Sequence, residues 1–79
     1  MTIRDLIEQV PYIQGNVEIQ QMNGDEITTL YETYSDNGLT FNDEVEPYLD
    51  KEIKYIYSNC YQLMPRNYVS VIVIEVEED

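Results

Sequence analysis

The stretch Tyr68 to Glu77 constrains the fold more than any other part of the chain. Its centre, Val71-Ile72-Val73-Ile74, is β-branched throughout and far shorter than the roughly 20 apolar residues that span a bilayer. In an extended backbone Val69, Val71 and Val73 point one way, while Ser70, Ile72, Ile74 and Val76 point the other. A strand that is apolar on both faces belongs inside a sheet, with another layer over at least one side. The rest of a 79-residue chain must therefore supply flanking strands and a cover.

The cover is predicted at the N-terminus. Ile3, Leu6, Ile7 and Val10 recur at i, i+3, i+4 and i+7, the single apolar stripe of a helix, with Arg4, Asp5, Glu8 and Gln9 on its other side. Thr2 caps this helix, Asp5 completes a weaker form of the capping box, and Pro11 ends it at or before Val10.

Two strands follow. Gln14-Gly15-Asn16 is a turn, and Val17 to Met22 starts with an alternation of apolar and polar residues. Asn23-Gly24 is a hairpin signal, with the Asp25-Glu26 pair expected to widen the loop. Ile27 to Tyr34, rich in Thr, Tyr and Ile, is the return strand, and Ser35-Asp36-Asn37-Gly38 breaks it. Thr40 to Asp50 is polar and acidic and reads as a loop or a short helical turn. The segment 48–64 fits two patterns. Between Pro47 and Pro65 a helix would align Leu49, Ile53, Ile56, Cys60 and Leu63. As a strand, Ile53, Tyr55 and Tyr57 share one face, and Lys54, Ile56 and Ser58 share the other. The residue types over 53–58 favour the strand, with Ser58-Asn59 as its end. The expected architecture is α+β: one domain over 1–79, with an N-terminal amphipathic helix packed on an antiparallel sheet of about four strands, αββββ.

Charge narrows the function. Sixteen Asp and Glu face four Lys and Arg, a formal net charge of −12, and there is no His. Four cations cannot neutralise a phosphate track, so direct binding to nucleic acid is not expected, and an anionic membrane would repel the chain. Histidine-based acid–base catalysis and His/Cys zinc sites are excluded. No spacing resembles a calcium loop, and no cofactor or metal is expected. Cys60, the lone thiol, reads as a small buried apolar side chain rather than a nucleophile, because no base stands near it in sequence. One cysteine makes no internal disulfide, and Met1 to Asp5 lacks a basic region ahead of a long apolar one, so no signal peptide and an intracellular setting are expected.

Eight tyrosines in so small a chain exceed what its core can hold. Tyrosine anchors interfaces, and carboxylates on a rigid sheet accept the same Arg and Lys donors that a phosphate does. The expected contacts are the hairpin acids Asp25, Glu26 and Glu32, the acidic loop with Asp43, Glu44 and Glu46, and the C-terminal Glu75, Glu77 and Glu78. Tyr31, Tyr34 and Tyr48 are the candidate anchors.

Three stretches, Thr2 to Val10, Tyr48 to Tyr57 and Val71 to Glu77, resemble small acidic open reading frames in phages and prophages of Firmicutes. That resemblance implies a strand in the middle stretch and places the chain in the cytoplasm of a bacterial host cell. Size and acidity also resemble phage anti-CRISPR proteins, several of which occupy the DNA-binding groove of an effector nuclease; no functional residue is carried over from them. The expected function is therefore a non-enzymatic, phage-type inhibitor that docks on a basic protein surface, a Cas nuclease in its most specific form, and acts as a DNA mimic. The alternative is a small homodimeric accessory or structural protein whose apolar sheet face pairs with its own copy.

Overall fold

A computed structural model describes residues 1–10, 13–33 and 38–78. The order is α1 (Ile3–Gln9), β1 (Val17–Asn23), β2 (Glu26–Thr33), a 3₁₀ turn (Glu46–Tyr48), β3 (Ile53–Met64) and β4 (Asn67–Val76). The four strands form one sheet in the order β2-β1-β4-β3. The expected α+β, αββββ arrangement is what the chain adopts. The helix stop at Pro11 and the turn over residues 35–37 lie outside the described residues.

The sheet is mixed rather than wholly antiparallel. β1 pairs antiparallel with β2, and β3 with β4, but the central pair β1–β4 is parallel, Ile19 standing beside Ile74. The reason lies in the connection between Thr33 and Ile53. With β1 and β4 aligned, β2 and β3 run the same way, so the chain must travel back along the sheet before β3 begins, as parallel-sense strands require. The stretch that reads as an acidic loop is this crossover, and it gives Leu39, Val45 and Leu49 to the core beside Ile3, Ile7, Val17, Ile19, Ile74 and Val76.

Helix α1 starts as expected. The Thr2 hydroxyl accepts from the Asp5 amide at 3.1 Å, and the Asp5 carboxylate accepts from the Thr2 amide at 3.0 Å. Those bonds, the backbone amide foremost, hold the Asp5 carboxyl below the usual carboxylate range. A group with a lowered folded pKa stabilises the fold above its unfolded pKa, and that contribution is lost as pH falls through the folded value. We predict that Thr2→Ala lowers stability by about 1 kcal/mol, or about 4–8 °C in Tm for a domain of this size. Thermal melts taken from neutral pH into acid should show the native chain losing more stability than Asp5→Asn. Ile3 and Ile7 are buried and Leu6 partly so, while Val10, at the helix end, is exposed.

The β1–β2 turn is tighter than expected. Asn23 pairs with Glu26, leaving only Gly24 and Asp25 in the loop, so the acids do not widen it. Gly24 takes φ +67 at the first loop position, where a type II′ turn asks for glycine. Strand β3 is longer than expected. It continues past Ser58-Asn59 to Met64 because Cys60, Tyr61 and Gln62 find partners on β4 and, after an irregularity, Met64 stands opposite Asn67. An irregularity between Ile53 and Tyr55 also changes its faces. Ile53 pairs with Val76 and packs on the core, whereas Tyr55 pairs with Glu75 and Tyr57 with Val73 on the opposite side.

Candidate functional site

The helix and the crossover cover one face of the sheet, where Val17, Ile19, Ile74 and Val76 lie. Among the described residues no element covers the other face, yet Val71 and Val73 in its centre are buried. Its own side chains close over them. Tyr61 on β3 donates from its hydroxyl to Glu18 Oε2 on β1 at 3.0 Å, and Gln20 Nε2 donates to the same oxygen at 3.1 Å. The Tyr61–Glu18 bond crosses β4, which lies between the two strands. Burial of the phenol, with the Glu18 carboxylate second, raises the Tyr61 pKa, so Tyr61 stays protonated and remains the donor.

The strand registers arrange this face in rows. Glu32, Glu18, Val73 and Tyr57 stand side by side across the four strands, and Gln20, Glu75 and Tyr55 form the next row over three of them. Tyr55 is 56% exposed and Tyr57 is also exposed, so two rings stand out from the β3 side of a face whose other side carries carboxylates. Lys54 Nζ lies 5.5 Å from the Tyr55 ring centroid, within cation–π range.

The acids picked out from the sequence fall into two groups and two single positions. Asp25 and Glu26 form the tip of the β1–β2 hairpin, at the same end of the sheet as Glu77 and Glu78. The amide of Gln21 Nε2 donates to the Glu77 carbonyl at 3.2 Å and ties β1 to the chain beyond β4. Asp25, Glu26, Glu77 and Glu78 therefore lie at one end of the sheet. All four are exposed. Glu32, Asp43 and Glu44 line a cleft of about 560 Å³ together with Tyr31 and Gly38. Glu46 stands apart, in a shallow groove beside Arg4, whose guanidinium Nε lies 3.2 Å from Asp50 Oδ1. Glu75 is half-buried on the tyrosine-bearing face. Among the described residues, no three Asp, Glu or Cys side chains converge closely enough to hold a metal ion.

The expected anchors sit elsewhere. Tyr31 is buried in the core and donates to the Gly38 carbonyl at 3.4 Å. Tyr48 is half-buried against the core, and Tyr34 lies outside the described residues. Cys60 is exposed, contrary to its reading as a buried apolar side chain, because β3 runs out past the reach of the covering helix.

Two features went unread in the sequence. One is the continuation to Tyr61 of the face that carries Tyr55 and Tyr57, visible as a two-residue period once 53–64 is taken as a single strand. The other is the placement of charge. Residues 53–74 contain no acid at all, so all 16 lie in the remaining 57 residues, while Lys54 and Arg66 stand inside the acid-free stretch. The molecule has an acidic body and a β3–β4 hairpin whose one acid, Glu75, sits at its base.

Comparison with protein-family models, curated proteins and solved structures finds no match to the chain. Among the described residues, no helix is long and apolar enough to cross a membrane.

Proposed function

We infer that this chain is a non-enzymatic acidic binding protein that docks on a basic protein surface and keeps nucleic acid from it. The observation that supports this reading is the placement of the carboxylates. Of the nine acids expected to make contact, every one except Glu75 is exposed, and Asp25, Glu26, Glu77 and Glu78 share one end of a sheet pinned by backbone pairing. Carboxylates fixed at strand spacing present acceptors to Arg and Lys much as phosphates do, without the entropy loss of ordering a flexible tail. The exposed rings of Tyr55 and Tyr57 replace Tyr31 and Tyr48 as the aromatic part of the contact, suited to the flat face of an arginine.

A nuclease of the Cas type is the specific target to test. Its binding to the chain should weaken by about tenfold or more as salt rises from about 0.05 to about 0.2 M, and duplex DNA should compete. The double reversal Asp25→Lys with Glu26→Lys should weaken it further, while Glu8→Lys on the outer side of α1 should not. An affinity indifferent to salt and to both reversals would overturn the reading.

A further inference from the structure

We propose that two copies of the chain pair edge to edge through β3, antiparallel about a two-fold axis near Asn59, to make one continuous eight-stranded sheet. Three observations converge on that edge. The first is that it is open. β3 is the last strand of the sheet, and Met1–Ile3 cover its outer side only at Lys51 to Ile53, through Ile53 N–H to the Met1 carbonyl at 2.8 Å and Ile3 N–H to the Lys51 carbonyl at 3.2 Å. Residues 54–64 have no strand on that side among the described residues.

The second is that half of the β3–β4 hairpin has no third strand beside it among the described residues, its ties to the rest of the sheet being the Tyr61–Glu18 bond and the Asn16 amide on the Ser70 carbonyl. β1 begins alongside β4 only at Ile72, so Asn59 to Met64 and their partners Asn67 to Val71 form a two-stranded arm beyond the sheet. Such ribbons are marginal in water without a third strand. This arm carries the exposed Met64 and Tyr68.

The third is charge, and it selects the occupant. Two molecules of formal charge −12 repel each other over most of their surfaces, but β3 holds no acid and one lysine. With the open edge fully used, Asn59 faces its own copy, Tyr57 faces Tyr61, and Lys54 faces Met64. Each arm then reaches the start of the partner's β3. Arg66, exposed at the tip of the arm, arrives at the end of the open edge, where Met1–Ile3 line β3 and the exposed Glu52 holds the N-terminal amine at 3.0 Å, so the cation of each copy joins an ion pair of the other rather than meeting a lone anion. Side chains keep their faces across such a pair, so the tyrosine-bearing surface is doubled and the acidic ends stay free. The proposal does not depend on the function inferred above, and a monomeric acidic inhibitor would leave that function intact.

Light scattering on the purified chain should give about 18.8 kDa, twice the 9.4 kDa of one copy, with dissociation on dilution. Ile56→Lys, on the β3 edge strand, should weaken pairing at least about tenfold, whereas Ile27→Lys, equally exposed on the β2 edge, should not change it. Arg66→Gly suits the positive φ of that position and removes the cation, so it should weaken pairing several-fold while leaving the monomer folded. Cys60, the lone thiol, takes a spin label directly. In the proposed register the two Cys60 Cα atoms lie about 8 Å apart, against more than about 30 Å for pairing through β2. A labelled dimer with a short inter-copy distance supports the proposal. A chain that stays monomeric at millimolar concentration overturns it and leaves the edge to a foreign strand; a dimer with a long Cys60 distance, or one weakened equally by Ile27→Lys, overturns it as well.

Discussion

Gly38→Ala should lose a large share of the stability and melt far below Gly24→Ala, which should fold and melt only modestly lower. Both glycines have positive φ, +62 and +67, so both alanines carry the left-handed cost of about 1–2 kcal/mol. They differ in what a Cβ would meet. At Gly24 nothing lies within 4 Å. At Gly38 the new atom would land on the carbonyl oxygen of Ile13, 2.6 Å from the Ile13 carbonyl carbon and 2.9 Å from Gln14 Cα. All three are backbone atoms, and none can turn aside as a side chain end would. The same Ile13 oxygen accepts from the Leu39 amide at 2.8 Å, and the Gly38 carbonyl accepts from Tyr31. Relieving the clash would break both bonds and withdraw Leu39 and Tyr31 from the core. Overpacking adds about 1–3 kcal/mol, for a total of about 2–5 kcal/mol. A domain of this length has about 4–12 kcal/mol in all. Thermal melts followed by circular dichroism check this. Equal melting temperatures for the two variants would mean that the crossover does not approach the chain after α1 as closely as described.

Gly38 also shows where sequence reading stops. It read as the last residue of a turn whose other members lie outside the described residues; its positive φ suits a glycine, but its tight contact with Ile13 joins two segments far apart in the chain, and no local pattern carries that. What was legible is what local chemistry decides. The capping box at Thr2 and Asp5, the stripe of Ile3 and Ile7, the Asn23-Gly24 hairpin and the two-sided apolar run of β4 each draw on neighbouring residues. Strand direction is a property of the whole sheet, and the parallel β1–β4 pair is set by a crossover whose apolar residues, Leu39, Val45 and Leu49, are too sparse to show a period. The faces of β3 were misjudged at Ile53 for a related reason, since one irregularity in the ladder reverses every side chain after it.

The candidate surface was legible in part. Exposed acids announce themselves, because charged groups avoid burial, and the hairpin and C-terminal acids are where water can reach them. Glu18 is the exception: its side chain is buried on a face without a covering layer because Tyr61 and Gln20 supply donors to it. Tyrosine is harder to place from sequence, since the same ring serves core and surface. Tyr31 went inward because it stands beside Ile19 on the helix-side face and its hydroxyl reaches the Gly38 carbonyl, whereas Tyr55 and Tyr57 stand beside Glu75 and Val73 on the opposite face, which no element covers among the described residues.

The boundary of the core across the sheet can be measured directly. Ile74 on β4 and Ile56 on β3 face each other in register, yet Ile74 is 0% exposed and Ile56 is 50% exposed. Ile74 lies between β1 and β3 under the helix, in contact with the central cluster that holds Ile3, Ile7 and Ile19. Truncating it removes buried methylene groups and leaves a cavity that a sheet paired on both sides cannot collapse, so Ile74→Ala should cost about 3–4 kcal/mol. That is about a quarter or more of the stability of a domain this small. Ile56→Ala removes atoms already half in water and leaves no cavity, so it should cost less than about 1 kcal/mol. Urea titrations of dilute protein, with the slope held common to both variants, separate the two values. If the losses were equal, the helix and crossover would have to extend over β3, and the open edge and bare arm on that side would not exist.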